Sequence, residues 1–149
     1  MEVFVGADYR GFERKEELMR FLNEQGFLVT DEGDYEPSDS SDYNDAAVRV
    51  AKAVLEKPGS RGILICDSAH GMTIQANRFK GIRATNCDSE ESAVAAREHD
   101  DANILCLSAK LVDLEKMKAV ALKFLETEFE KIERRVRRIN RLDEREDYD

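Results

Sequence analysis

The sequence predicts an α/β fold: a three-layer α-β-α sandwich of Rossmann-like form, with a five-stranded, mostly parallel sheet plus a C-terminal helix. Two observations carry this reading. Short apolar runs alternate five times with longer stretches of helical spacing. The runs are apolar at successive positions, as strands buried on both faces are. Right-handed crossovers then lay helices on both sides of one sheet.

Val3-Phe4-Val5-Gly6 is a first strand. A helix follows from Gly11 to about Glu24, with Leu18, Phe21 and Leu22 on one face. Phe27–Thr30 is a second strand, and Asp31–Ser41 is a loop dense in Gly, Pro, Ser and Asp. Asp42–Glu56 places Ala47, Val50, Ala51 and Val54 at helical spacing, and Pro58-Gly59 ends it. Gly62–Cys66 is strand three, and the helix after it runs to about Phe79. Ile82–Cys87 is strand four, and Ser89 caps a fourth helix to Glu98. Asn103–Leu107 is strand five, followed by a helix carrying Leu114, Met117, Ala121, Phe124 and Leu125. Residues 129–142 read as a basic amphipathic helix with Phe129, Ile132, Val136, Ile139 and Leu142 as its apolar stripe. Residues 143–149 form an acidic, frayed tail. The carboxyl ends of the strands share one edge, which puts Asp8, Cys66, Cys87 and Ser108 along one rim.

The 149 residues are read as one domain, long enough to bury a core. A net charge of −9 argues against nucleic acid or an anionic membrane as partner. No apolar run approaches a membrane span, and the strand-like start lacks the pattern of a signal peptide, so the expectation is a cytoplasmic protein. Three cysteines without a CxxC pair, and two histidines, argue against a disulfide framework and a metal site, and no cofactor is expected.

Chemistry concentrates in Gly62-Ile63-Leu64-Ile65-Cys66-Asp67-Ser68-Ala69-His70-Gly71. A thiol between a strand end and a helix start can act as a base or nucleophile. A small buried hydrophobe is the other reading of a cysteine, and Cys87 and Cys106, which lack such a loop, are left as core. Main-chain N–H groups from Ser68 to Gly71 could cradle an anion, or make an ordinary strand–helix turn. His99, in Glu98-His99-Asp100-Asp101, is either a general acid or base or a surface histidine at a helix end. Asp8 could hold a hydroxyl, cap the first helix, or both. The tail arginines could bind phosphate or form a solvated face.

Together these pieces resemble the family of ribose-5-phosphate isomerase B and the galactose-6-phosphate isomerase subunits. The matching segments are Gly6-Ala7-Asp8, Ser41-Asp42-Tyr43, Gly62–Cys66 with Gly71, Ala76–Ala84, Arg97–Asn103 and Arg134-Arg135-Val136, and the resemblance they anchor runs over nearly the whole chain. The resemblance implies metal-independent aldose–ketose isomerisation of a phosphorylated sugar, with ribose 5-phosphate to ribulose 5-phosphate first and another sugar or sugar phosphate as the alternative. It implies Cys66 as the base that moves a proton between C1 and C2 through an enediolate, and Ser68 as an aid to proton transfer. By the same resemblance, N–H groups from Asp67 through Ala69 and His70 to Gly71 stabilise the enediolate. His99 opens the ring, Asp8 holds hydroxyls, and Lys131 and Arg135 fall where the family binds phosphate. It further implies a homodimer or homotetramer with sites built from two subunits. A silent ligand-binding subunit of a hetero-oligomer is the reading from another class.

The chain departs from the family pattern at the site. Tyr9 replaces a histidine, Asp67-Ser68-Ala69-His70-Gly71 replaces Gly-Thr-Gly-x-Gly, Asp100 replaces an asparagine and Asn44 a proline, and Lys131 stands for an arginine. Asp67 and Asp100 would repel an anionic substrate if both pointed inward, by about 4 kcal/mol for like charges roughly 4 Å apart at an effective dielectric of about 20. Either these carboxylates face elsewhere, one is protonated, or the substrate differs; His70 is a candidate compensating cation for Asp67, and Tyr9 and His70 are the candidates to replace the lost histidine.

Overall fold

The computed structural model describes residues 1–36 and 41–144. The acidic tail expected at 143–149 therefore lies outside the described residues beyond Glu144. The elements alternate as β1 (Glu2–Ala7), α1 (Phe12–Glu24), β2 (Leu28–Asp31), α2 (Tyr43–Glu56), β3 (Arg61–Cys66), α3 (His70–Ala76), β4 (Ala84–Asn86), α4 (Glu90–Asp100), β5 (Ile104–Ser108), α5 (Leu114–Glu126) and α6 (Glu133–Arg141). All five strands are parallel, in the order β2-β1-β3-β5-β4.

The central strand β3 is buried at every position. Its alternate residues serve two cores: Ile63 and Ile65 join Leu18, Leu22, Met117 and Phe124 on one face, and Leu64 and Cys66 join Val50, Met72 and Ala76 on the other. Helices α1, α4 and α5 cover the first face, and α2 and α3 the second. So β1 sends its chain to one face while its neighbour β3 sends its chain to the other. The two loops part between them, and that divergence is where open α/β sheets form a crevice.

Local chemistry sets the element ends. Ser89 Oγ accepts from the Ser92 N–H (3.1 Å) at the start of α4, and Asp113 Oδ1 from the Lys116 N–H (2.8 Å) at the start of α5. Lys15, fully buried, ties α1 to the end of β2 through both carboxylate oxygens of Asp31 (2.8 Å each). A Cβ on Gly11 would lie 2.3 Å from the Ile65 carbonyl oxygen, so only glycine lets α1 start against β3.

The C-terminal helix is shorter than its apolar spacing suggests. α5 stops at Glu126, and α6 starts only at Glu133. Arg61 takes the carbonyls of Phe124 and Leu125, and both Arg61 and Arg97 donate to Thr127. Ile132 becomes the extended residue before α6, so Phe129 and Ile132 leave the stripe. α6 buries none of its residues, and Val136 and Leu142 are exposed. No helix among the described residues is long and apolar enough to cross a membrane.

Candidate active site

Cys66 ends β3 opposite Ser108 of β5, and its sulfur accepts the Ala69 N–H (3.1 Å), with the Met72 N–H also directed at it. Ala69 is left-handed (φ 68°), which turns that N–H back over the sulfur. Burial pushes the thiol up to about 11, the charges of Asp8 and Asp67 add to the rise, and the two N–H groups oppose it. At rest the group is a protonated thiol. Ser68 Oγ accepts the His70 N–H at 3.4 Å, and Ser108 Oγ donates to the Asp67 carbonyl (2.5 Å), fixing the base of the loop.

Asp8 is buried at the end of β1 and accepts the N–H groups of Arg10 (3.0 Å) and Gly11 (3.1 Å). Burial raises its pKa, and the nearby Asp34 raises it further. It therefore caps the turn into α1 while standing within electrostatic reach of Cys66. The Tyr9 N–H donates to Ser41 Oγ (3.1 Å), and its hydroxyl accepts from Arg10 Nε (3.0 Å), with the guanidinium 5.3 Å from the ring centre.

Asp67 stands in one hollow with Arg10, and His70 does not line that hollow. The hollow is also lined by Tyr9 and Arg14, and the Arg10 pKa is raised first by its hydrogen bond to the Tyr9 hydroxyl and then by the charge of Asp67. His70 is exposed at the first position of α3, and Gly71 lies under the ring of Tyr43, where a Cβ would come within 2.5 Å of Cζ. Tyr43 and Arg10 stand beside the candidate residues, and sequence reasoning did not single them out. Tyr43 already stood in the quoted Asp-Tyr motif, whereas nothing local marks Arg10.

His99 and Asp100 are exposed at the end of α4 and line a cavity of about 270 Å³ with Arg134, Arg135 and Arg138. Arg135 donates to the Glu98 carbonyl (3.3 Å) and pairs with Glu130. Lys131 lies elsewhere, in a hollow with Val136, Asn140 and Arg141. Arg134 and Arg138, not Lys131, accompany Arg135. Their spacing at 134, 135 and 138 on one helix face was the available signal.

These two groups do not meet within one chain. α4 runs back against the strands, and the Asn103 carbonyl just after it accepts the Gly62 N–H at the amino end of β3. Cys66 lies four residues further along the same strand, roughly 13 Å at 3.3 Å per residue. Cys66, Ser68, Asp8 and Tyr9 occupy the carboxyl edge of the sheet; His99, Asp100 and Arg135 occupy the amino edge. Among the described residues no three His, Cys, Asp or Glu side chains gather where they could hold a metal ion.

A cysteine and its N–H loop at the crevice of a parallel sheet make an arrangement suited to proton transfer. The chain belongs to the Ribose/Galactose Isomerase family, whose profile matches residues 3–142. It is 36% identical to ribose-5-phosphate isomerase B of Escherichia coli over 146 residues, covering 97% of each chain. It is 34% identical to a D-erythrulose-4-phosphate isomerase of Pectobacterium atrosepticum over 131 residues, 87% of this chain and 86% of that one. The solved ribose-5-phosphate isomerase B of Mycoplasma genitalium with bound ribulose-5-phosphate superposes with a TM-score of 0.90 at 34% identity, covering 95% of this chain and 93% of that one.

Proposed function

We propose that the chain interconverts an aldose phosphate and its ketose isomer, with ribose 5-phosphate as substrate. The observation that carries this is Cys66, held at the sheet crevice with the loop N–H groups around its sulfur. As thiolate, Cys66 takes the proton from C2 of the open-chain aldose and returns it to C1. The enediolate oxygens face the main-chain N–H groups of the loop, which stabilise the charge that develops there. Ser68 passes the proton between the two oxygens, and Asp8 accepts a sugar hydroxyl.

His99 and the arginines of α6 come from a second copy of the chain. The opposite placement of His99 and Cys66 supports this, as does the uncovered Val136 and Leu142 face of α6. Arg134, Arg135 and Arg138 of the second copy then hold the phosphate. Each site carboxylate shares a hollow with arginines: Asp67 with Arg10 and Arg14, and Asp100 with Arg134, Arg135 and Arg138. A four-carbon sugar phosphate is the second reading, since a relative of similar identity is named for one.

The test is a coupled isomerase assay on both substrates, with Cys66→Ala alongside. Loss of the base should lower kcat by about 10²–10⁴-fold. Full activity in Cys66→Ala would overturn the mechanism. Turnover of the four-carbon substrate alone would select the second reading. An intact, folded protein inactive on both would favour a silent subunit.

A further inference from the structure

Among the described residues, the buried side-chain atom left without a hydrogen-bond partner is Oδ2 of Asp34, just past the end of β2. A carboxylate oxygen out of reach of water is costly unless a donor meets it.

The main chain sets Asp34 beside Asp8. Strands β1 and β2 pair in register from Glu2 with Leu28 to Val5 with Asp31, and three residues further along each chain stand Asp8 and Asp34. The hydrogen bonding runs on past the strands: the Glu32 N–H donates to the Val5 carbonyl (2.8 Å), and the Asp34 N–H to the Ala7 carbonyl (2.7 Å). Both side chains belong to the α2 face of the sheet. Phe4 packs on that face, and a Cβ on Gly6 would lie 2.8 Å from Val50 of α2, so alternation along β1 sends Asp8 the same way. Asp34 is held there because its Oδ1 accepts from Arg49 Nη2 of α2 (3.2 Å). Cys66 lies on this face as well.

Asp8 is 7% exposed, and the two N–H groups that hold it, of Arg10 and Gly11, both go to its Oδ1. The charged and titratable groups around the two carboxyls are Arg10 on the turn into α1, Arg49 on α2, Cys66 and Asp67 on β3 and its loop, and Glu32 and Tyr35 on either side of Gly33. Lys15 is taken up by Asp31. Burial raises the Asp8 pKa, its two N–H bonds lower it, and the charge of Asp34 raises it again.

We infer that Asp8 and Asp34 hold one proton between them, which makes Asp34 a positioning residue for Asp8 in the candidate site. One proton gives Oδ2 of Asp34 its hydrogen bond and spares two neighbouring carboxyls from carrying full charge together. The pair then presents a single negative charge to Cys66, which opposes the thiolate and the enediolate less than two charges would. That consequence rests on the isomerase reading above, whereas the shared proton does not.

The test is a ¹³C NMR titration of the Asp8 and Asp34 side-chain carboxyls in the full-length protein, from pH 8 down to the onset of acid unfolding. Both signals should move together in two steps, the upper one about one pH unit or more above the ordinary aspartate value near 4. Asp34→Asn keeps an oxygen for Arg49 and sets an amide donor beside Asp8. In that variant Asp8 should titrate in one step, about one unit or more below the upper step of the unaltered chain. Asp8→Asn should act on the Asp34 signal in the same way. Two independent single steps in the unaltered chain, or an Asp8 step that Asp34→Asn leaves in place, would overturn the inference and make a buried water the partner of Oδ2. The titration needs no turnover, so a protein inactive on both sugar phosphates would sink the proposed function and leave this result standing.

Discussion

Cys66 carries its proton at rest, and in the proposed mechanism that sets the pH dependence of the reaction. With the free thiol near 11, the thiolate fraction grows tenfold for each pH unit between neutrality and about 10. In that range kcat/KM should rise with slope one on a logarithmic plot, with no alkaline plateau. A plateau near pH 8 in steady-state kinetics would show that substrate or a second copy lowers the thiol first. Ala69 pays for the loop geometry with a left-handed backbone that glycine adopts freely. Ala69→Gly should therefore stabilise the protein by about 1 kcal/mol, read from the urea midpoint with an unchanged m-value. The placement of Cys66 and Ser68 at the carboxyl edge of the sheet was legible in the sequence, because a strand-ending thiol before a short polar turn is a local pattern. The grouping of Asp67 with Arg10 and Arg14 in one hollow was not, because those residues come from another loop and helix.

At the scale of elements, the strands and most helices could be read directly, since strands buried on both faces form apolar runs and α4 and α5 carry side-chain caps. The C-terminal helix could not. Its start is decided by Arg61 and Arg97, which end α5 from strands and helices distant in sequence. The same shift moved Lys131 off the helix face that carries Arg135. Arg135→Ala should raise KM for the sugar phosphate by about 10–100-fold, the worth of a charged hydrogen bond, with kcat less affected. Lys131→Ala should leave KM within about twofold in the same steady-state assay.

Over the whole molecule, the buried thiols set an alkaline limit to stability. In the unfolded chain they lose protons near pH 9, whereas in the fold Cys66 holds its proton to about 11 and Cys106, buried in the core, to about 12. Above pH 9 the folded state binds more protons than the unfolded state. Stability therefore falls as pH rises, by up to about 1.4 kcal/mol per pH unit for each thiol. Urea unfolding under reducing conditions at pH 7, 9 and 10.5 should show no thiol contribution at pH 7 and a growing loss above 9. Cys106→Val should remove its share of that loss.

The two-copy site proposed above also predicts complementation. Cys66→Ala and His99→Ala chains, each inactive alone, should recover about a quarter of wild-type activity when co-refolded in equal amounts, since half the random dimers then hold one whole site. Independent, silent chains would recover none.

The direction of α4 has a genetic consequence as well. A chain defective at both Cys66 and His99 would spoil each of the two sites in any dimer it enters, where a chain defective at only one of them would spoil one. Produced in equal amount beside the intact chain, the doubly defective copy would leave about a quarter of the dimers functional. A lesion confined to one edge of the sheet would act as a recessive allele, and one spanning both edges would be dominant.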